Sequence, residues 1–374
     1  MKIQFANLIL ILAAAQGFFL SVLILHKYGN LKANRFLGAL MLVYSILLTH
    51  LFLGEEGVLY PEFLLRLVIG TSFLIGPLHF LYARSLINPT LNRRHWLHAL
   101  PFLAYILLCV WAYIFDPLNT TLFVQEMFVK YTWFHWIILS HVISYMTLTV
   151  VLVQRYTKAI KDVFSDIHRV RLNWLRNLTL LAFMIMFVYF AENFFLLYHI
   201  ELSHQFDLSS LIIAIYVYII GYLGVFKSEV FAEPAIAESI KHLELSPKKY
   251  EKSGLTSDKA HEFEHRLLEH MQGNKPWLES ELTLGQLAAQ LAIPPHYLSE
   301  VINSRFDLNF FNFINQYRLE QVKQDLVDPT KGHLKILAIA FDAGFNSKST
   351  FNNLFREQEG MTPSEYRKHV MGKR

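Results

Sequence analysis

The sequence predicts an all-α protein made of two unlike parts. Two observations carry this: apolar stretches of membrane-crossing length fill the first three-fifths of the chain, and an amphipathic helix-turn-helix pattern occurs twice near its end. The composition is 53% hydrophobic, an average that hides the division. Charged residues are sparse before about Phe226 and recur every few positions after Lys227. The reading is therefore a seven-helix transmembrane bundle over 1–226, a linker over 227–256 and a helical domain over 257–374.

The apolar stretches run Ile3 to Leu25, Phe36 to Leu53, Phe63 to Leu86, Trp96 to Phe115, Trp133 to Val153, Leu178 to Tyr198 and Leu208 to Phe226. Each matches the roughly 17–25 residues that a spanning helix needs. Tyr60, Trp96, Tyr131, Trp133, Trp174 and Tyr198 lie at or near their ends, where aromatic rings favour the headgroup layer. Cys109 is the only cysteine and falls inside an apolar stretch, which excludes an intrachain disulfide and a thiolate metal cluster.

Loop charges set the orientation. One set of alternate loops carries Lys27, Lys32, Arg35, Arg84, Arg93, Arg94, Arg155, Lys158, Lys161, Arg169, Arg171, Arg176 and Lys227. The other carries only Lys2, Arg66 and Lys130 among acidic Glu55, Glu56, Glu62, Asp116, Glu126 and Glu201. Positive loops stay in the cytoplasm, so the amino terminus is expected outside and the carboxy-terminal domain inside. A signal peptide cleaved near Ala13, Ala14 and Ala15 is the competing reading of the first stretch. It would leave six spans and contradict the loop charges.

Polar residues within the spans are the candidates for receiving a signal. An intramembrane carboxylate is costly to bury, so Glu192 with Asn193 nominates a sensing pocket, with His135 and His141 as candidate partners. Hydrogen bonds that merely hold helices together are the plainer account of the same residues.

The segment 227–256 contains Pro234, Pro247 and Gly254 among alternating charges, and a flexible tether of this length spans roughly 30 Å. In the next helix, His261, Glu262 and His265 match the spacing of a zinc-protease motif. The match is read as accidental: the histidines flank an apolar stripe, and no protease-sized domain surrounds them to supply a third ligand. Neither a metal nor a cofactor is expected, and no catalysis is required.

The duplicated pattern follows. Leu284, Leu287, Ala288 and Leu291 form one stripe, Pro294 and Pro295 break it, and Leu298, Val301 and Ile302 form another. Ile336, Ile339, Ala340 and Ala343 repeat the first stripe, Gly344, Phe345 and Asn346 make the turn, and Phe351, Leu354 and Phe355 repeat the second. The two units occupy about 283–306 and 335–359. Thr283 with Gln286 and Thr362 with Glu365 are spaced as capping boxes, Pro363 occupies a favoured first helical position, and Ser347 is placed to cap the second unit's second helix.

Over roughly 280–370 the chain resembles the AraC/XylS family of bacterial transcription regulators. The residues that carry the likeness are Ile339, Ala340, Gly344, Phe345, Ser347, Ser349, Phe351, Phe355, Gly360, Thr362, Pro363, Tyr366 and Arg367, with Tyr317, Arg318 and Leu319 in the helix that joins the units. The resemblance implies two reading helices laid into successive major grooves about 34 Å apart. The positions that match its base-reading residues are His296, Ser299, Glu300 and Asn303 in the first unit, and Lys348, Ser349, Asn352, Asn353 and Arg356 in the second. Asn can bond adenine at two points, while Arg and Lys can bond guanine or phosphate.

Two departures concern the first unit. Glu300 stands where many members carry a basic residue, and Pro294 replaces the usual capping hydroxyl. Residues 283–330 are net acidic and 331–374 net basic, so the second unit is expected to supply most of the phosphate attraction.

Together these readings give a one-component transcription regulator of the bacterial inner membrane. Its expected partners are double-stranded promoter DNA, the lipid bilayer, a second copy of the chain on DNA, RNA polymerase, and an unknown small-molecule or lipid signal. A membrane transporter or scaffold with a degenerate helix-turn-helix module is the alternative, disfavoured by the odd span number and the lack of an obvious inverted repeat.

Overall fold

The computed structural model describes residues 5–27, 32–55, 62–87, 93–115, 132–197, 208–228 and 254–371. Among them the fold is all-α; the sole β feature is an isolated antiparallel bridge between Phe164 and Thr283. The chain forms two compact units, 1–154 with 172–237, and 155–171 with 238–374.

The first unit contains α1 (Phe5–Lys27), α2 (Lys32–Glu55), α3 (Glu62–Gly70), α4 (Ser72–Ile87), α5 (Leu100–Phe115), most of α6 (Thr132–Ala159), α7 (Asn173–Leu197) and α8 (Leu208–Ser228). A 3₁₀ turn, Arg93–Ala99, leads into α5. The α1–α2 pair packs along its length, α4 lies against α2, and α8 packs on α1, α2 and α7. A Cβ at Gly17 would collide with the Ser45 hydroxyl, so glycine is what permits that close helix approach.

Among the described residues five helical segments are long and apolar enough to cross a membrane: Asn7–His26, Lys32–Gly54, Leu67–Ile87, Arg94–Phe115 and Trp136–Asp162, the last of which runs on beyond this unit. Asn173–Val188 and Leu211–Gly224 are shorter apolar segments within α7 and α8. The third stretch, expected as one helix, is divided at Thr71 into α3 and α4. Gly70, a weak helix former whose bare Cα lies against the Tyr105 ring, stands at the break, whereas Pro77 is accommodated inside α4.

Large apolar side chains face outward from this unit, among them Phe19, Leu107, Trp111, Phe115 and Phe187. Its interior holds Tyr44 and Tyr216, whose rings meet edge to face at 5.6 Å, and His79, which shares a hydrogen bond with the Thr179 hydroxyl at 2.9 Å.

The second unit contains α9 (Ser257–Asn274), α10 (Leu284–Gln290), α11 (Pro295–Phe306), α12 (Phe310–Val327), α13 (Ile336–Asp342), α14 (Lys348–Glu359) and α15 (Pro363–Met371). Helix α12 is its spine. Phe310, Phe313 and Ile314 from its first half join a core with Leu267, Met271, Trp277, Leu287, Leu298 and Ile302. Leu319, Val322 and Leu326 from its second half join another with Ile339, Ala340, Phe345, Phe351 and Phe355. Each helix-turn-helix pair thus packs on its own half of one continuous helix.

Candidate nucleic-acid interface

The two helix-turn-helix units repeat down to the turn. In the first, Ile293 N–H donates to Ala288 O and Ala292 N–H to Ala289 O; in the second, Phe345 N–H donates to Ala340 O and Gly344 N–H to Phe341 O. The left-handed residue of this turn is Ala292 (φ 49°) in the first unit and Gly344 (φ 92°) in the second. Glycine is required only at the second, where a Cβ would collide with the Trp277 carbonyl oxygen.

Local chemistry starts each helix. Thr283 and Gln286 form a reciprocal capping box on α10, and Thr362 and Glu365 do the same at α15. The Ser347 hydroxyl accepts from Thr350 N–H at the start of α14. No side-chain hydrogen bond caps α11, because Pro294 has none to offer and Pro295 fills the first helical position.

On α14, Lys348, Ser349, Asn353 and Arg356 are exposed and Asn352 is half-buried, all on one face, while Phe351 and Phe355 bury the other. Lys348, Ser349 and Asn352, with Asn346, Ser347 and His168, surround an open cavity of about 530 Å³ at the amino end of the helix. On α11, His296 is exposed beside Tyr297, and Glu300 and Asn303 are half-buried. Ser299 does not join them: it is 5% exposed, turned into the domain, and its carbonyl accepts from the Asn303 amide at 2.7 Å. The second unit thus presents the fuller polar face, the first a sparser one.

Of the candidate sensing residues, His141 is edge-on to Phe73 at 5.5 Å and near Tyr145 at 5.0 Å, and its ring nitrogens have no hydrogen-bond partner among the described residues. The side chains of Glu192, Asn193 and His135 lie outside the described residues. His261 and His265, the protease-like pair on α9, are exposed and face Glu264 and Glu269 at 3.5 Å each. No group of three His, Cys, Asp or Glu among the described residues is arranged to hold a metal ion.

Sequence reasoning read one segment only as a positively charged loop. Residues 155–171, between the fifth and sixth apolar stretches, belong to the second compact unit. The Arg318 side chain, 1% exposed, donates from Nε to Trp277 O at 2.8 Å, from Nη1 to Ser165 O and Asn315 Oδ1, and from Nη2 to Ser165 Oγ, Glu279 O and Ser280 O. Burial pulls its pKa down to about 10, and the charge of Asp166 pulls it back up.

Comparisons with known proteins agree with this architecture over one stretch. A family described as a helix-turn-helix domain matches residues 287–369. The chain is 31% identical over 90 residues to the melibiose operon regulatory protein of Escherichia coli, covering 24% of this chain and 29% of that protein. It is 36% identical over 90 residues to an uncharacterized HTH-type transcriptional regulator, YijO, of the same species, covering 24% and 30%. To the HTH-type transcriptional activator RhaS of Mannheimia succiniciproducens it is 32% identical over 95 residues, covering 24% and 34%. The chain thus spans about a third or less of the length of these curated relatives. No solved structure matches it. Residues 287–369, matched by that family, are the stretch in which the structure forms its two helix-turn-helix units and the helix that joins them.

Proposed function

We propose that the protein is a membrane-embedded transcription regulator that reads promoter DNA through α11 and α14 and takes its input through the apolar helices. One observation carries the reading: the same chain has a helix-turn-helix domain with an exposed Lys348, Ser349, Asn353 and Arg356 face, and five helical segments long and apolar enough to cross a bilayer. The relatives matched over the domain are named as transcription regulators, which supports the assignment to DNA. Outward-facing Trp111, Phe115 and Phe187 on the other unit suit contact with acyl chains.

Seven crossings with the amino terminus outside would deliver the domain to the cytoplasm. Base reading is assigned chiefly to the second unit. Arg356 and Lys348 bond guanine or phosphate, Asn352 and Asn353 bond adenine, and each good two-point contact is worth about 1–3 kcal/mol against a wrong base. His296, Glu300 and Asn303 extend the contact from the first unit, with the Glu300 carboxylate accepting from cytosine. The first unit's acidic balance makes one protomer a weak binder, so two copies act together on a promoter, where RNA polymerase is the further partner. Glu192, Asn193, His135 and His141 remain the candidate receivers of a small-molecule or lipid signal.

Chromosomal immunoprecipitation of the tagged full-length protein, beside an Asn353→Ala, Arg356→Ala version, tests this. Discrete peaks lost in the variant at equal abundance are expected. No peaks with either protein would overturn the reading.

A further inference from the structure

The segment that leaves α6 and returns into α7 is an integral part of the helix-turn-helix domain, although some 150 residues of chain separate it from its partners. After α6 a 3₁₀ turn, Ile160–Asp162, leads into an extended stretch. Ser165 N–H donates to Leu282 O at 3.1 Å and Leu284 N–H to Val163 O at 2.8 Å, a short antiparallel pairing centred on Phe164 and Thr283. The Asn315 amide and the Arg318 guanidinium donate to Ser165 O, and Arg318 also reaches Ser165 Oγ. Ile160, Phe164, Ile167 and Val170 are buried, Lys161 lies over the Phe311 ring, and Arg169 pairs with Glu281 at 3.1 Å.

This strap is bonded to the first reading unit and to the spine of both. It pairs with the backbone at Thr283, which starts the first helix of the first unit, and it grips α12, the spine on which both units are mounted. Its His168 lines the cavity at the amino end of α14 with Lys348, Ser349 and Asn352. Two reading helices fit one duplex only if their spacing matches successive grooves. A segment fixed to the first unit and to the spine that carries both acts on that spacing, and chain continuity joins its two ends to α6 and α7.

Resting on the regulator reading above, we propose that residues 160–171 are the coupling element of the protein: the state of α6 and α7 reaches the reading helices through this strap, not through the linker segment 227–256. A ligand that favours one arrangement of the apolar helices would thereby favour one spacing of the reading helices.

The experiment uses the full-length chain in native membranes and has two arms. In a Cys109→Ser background, Arg169→Cys with Glu281→Cys is treated with a short bis-maleimide; an intrachain cross-link is expected. In the second arm a flexible eight-residue Gly/Ser insert is placed on either side of the strap, after Ala159 and after Leu172, and in a separate variant after Pro247. Chromosomal occupancy at the parent's peaks is expected to change at least tenfold with the strap inserts and less than twofold with the tether insert. The cross-link, repeated in the strap-insert variant, shows that the strap is still docked. Absence of the cross-link in the double-cysteine variant without inserts overturns the proposal, as does occupancy that ignores the strap inserts or responds equally to the insert after Pro247. A parent chain with no peaks defeats the regulator reading instead, and the cross-link then still reports whether the strap is docked.

Discussion

Arg318 shows how one side chain holds this domain together. Its guanidinium is buried among backbone carbonyls of Trp277, Glu279, Ser280 and Ser165, with Asn315 Oδ1 and Ser165 Oγ completing the set. A planar fork serves acceptors in several directions at once, which an ammonium on a flexible stem cannot do. Arg318→Lys is expected to cost about 2–4 kcal/mol in chemical denaturation of the solubilised protein, because buried carbonyls lose their donors. A loss under about 0.5 kcal/mol would show that water replaces the fork. Gly344→Ala should cost about 2–5 kcal/mol, combining a strained positive φ with overpacking against Trp277. Both residues were picked out in the sequence by their place in a family pattern. Their partners were not legible, because Ser165 lies 153 residues before Arg318 and no local periodicity announces the pair.

At the scale of elements, helix starts were the most legible feature. Hydroxyls at Thr283, Ser347 and Thr362 make the capping bonds that their spacing foretold, because capping is a short-range exchange between a side chain and the next turn. Capping also sets an acid limit. The Thr362 N–H and hydroxyl hold the Glu365 carboxyl below its ordinary value of 4.5, and the Thr330 hydroxyl and N–H hold Asp328 below 3.8. A depressed folded-state value gives stability that is present above the ordinary value and lost as pH falls through the lowered one. The melting temperature is therefore expected to fall as pH drops below about 4.5, and the fall should be shallower in a Thr330→Val, Thr362→Val variant. An unchanged acid limb in that variant would remove the caps from the explanation. Ser299 is where the likeness and the structure differ: the resemblance put it with His296, Glu300 and Asn303, yet α11 buries it beside Leu298 and Ile302 on the side that packs into the domain.

At the scale of the molecule, composition announced two parts, and the break in apolarity near Phe226 was plain. The membership of residues 155–171 in the second compact unit was not, since they read as a basic loop between apolar stretches and their partners lie more than a hundred residues further along the chain. Their buried side chains, Ile160, Phe164, Ile167 and Val170, recur every three or four residues as on a short helix, yet the segment forms a 3₁₀ turn, an isolated bridge and turns, so its spacing does not point to its partners. The third apolar stretch read as continuous because hydropathy averages over Gly70, beside which the helix divides without lowering the apolar count.

The central claim is that DNA reading and membrane embedding belong to one chain, with the helix-turn-helix domain on the cytoplasmic side. The direct measurement uses sealed vesicles from cells making the full-length protein, washed with carbonate and incubated with a labelled fragment from the strongest chromosomal peak. Inverted vesicles are expected to capture the fragment in a salt-dependent manner, and right-side-out vesicles are expected to leave it free. Capture by right-side-out vesicles, or recovery of all binding in the carbonate wash, would contradict the account.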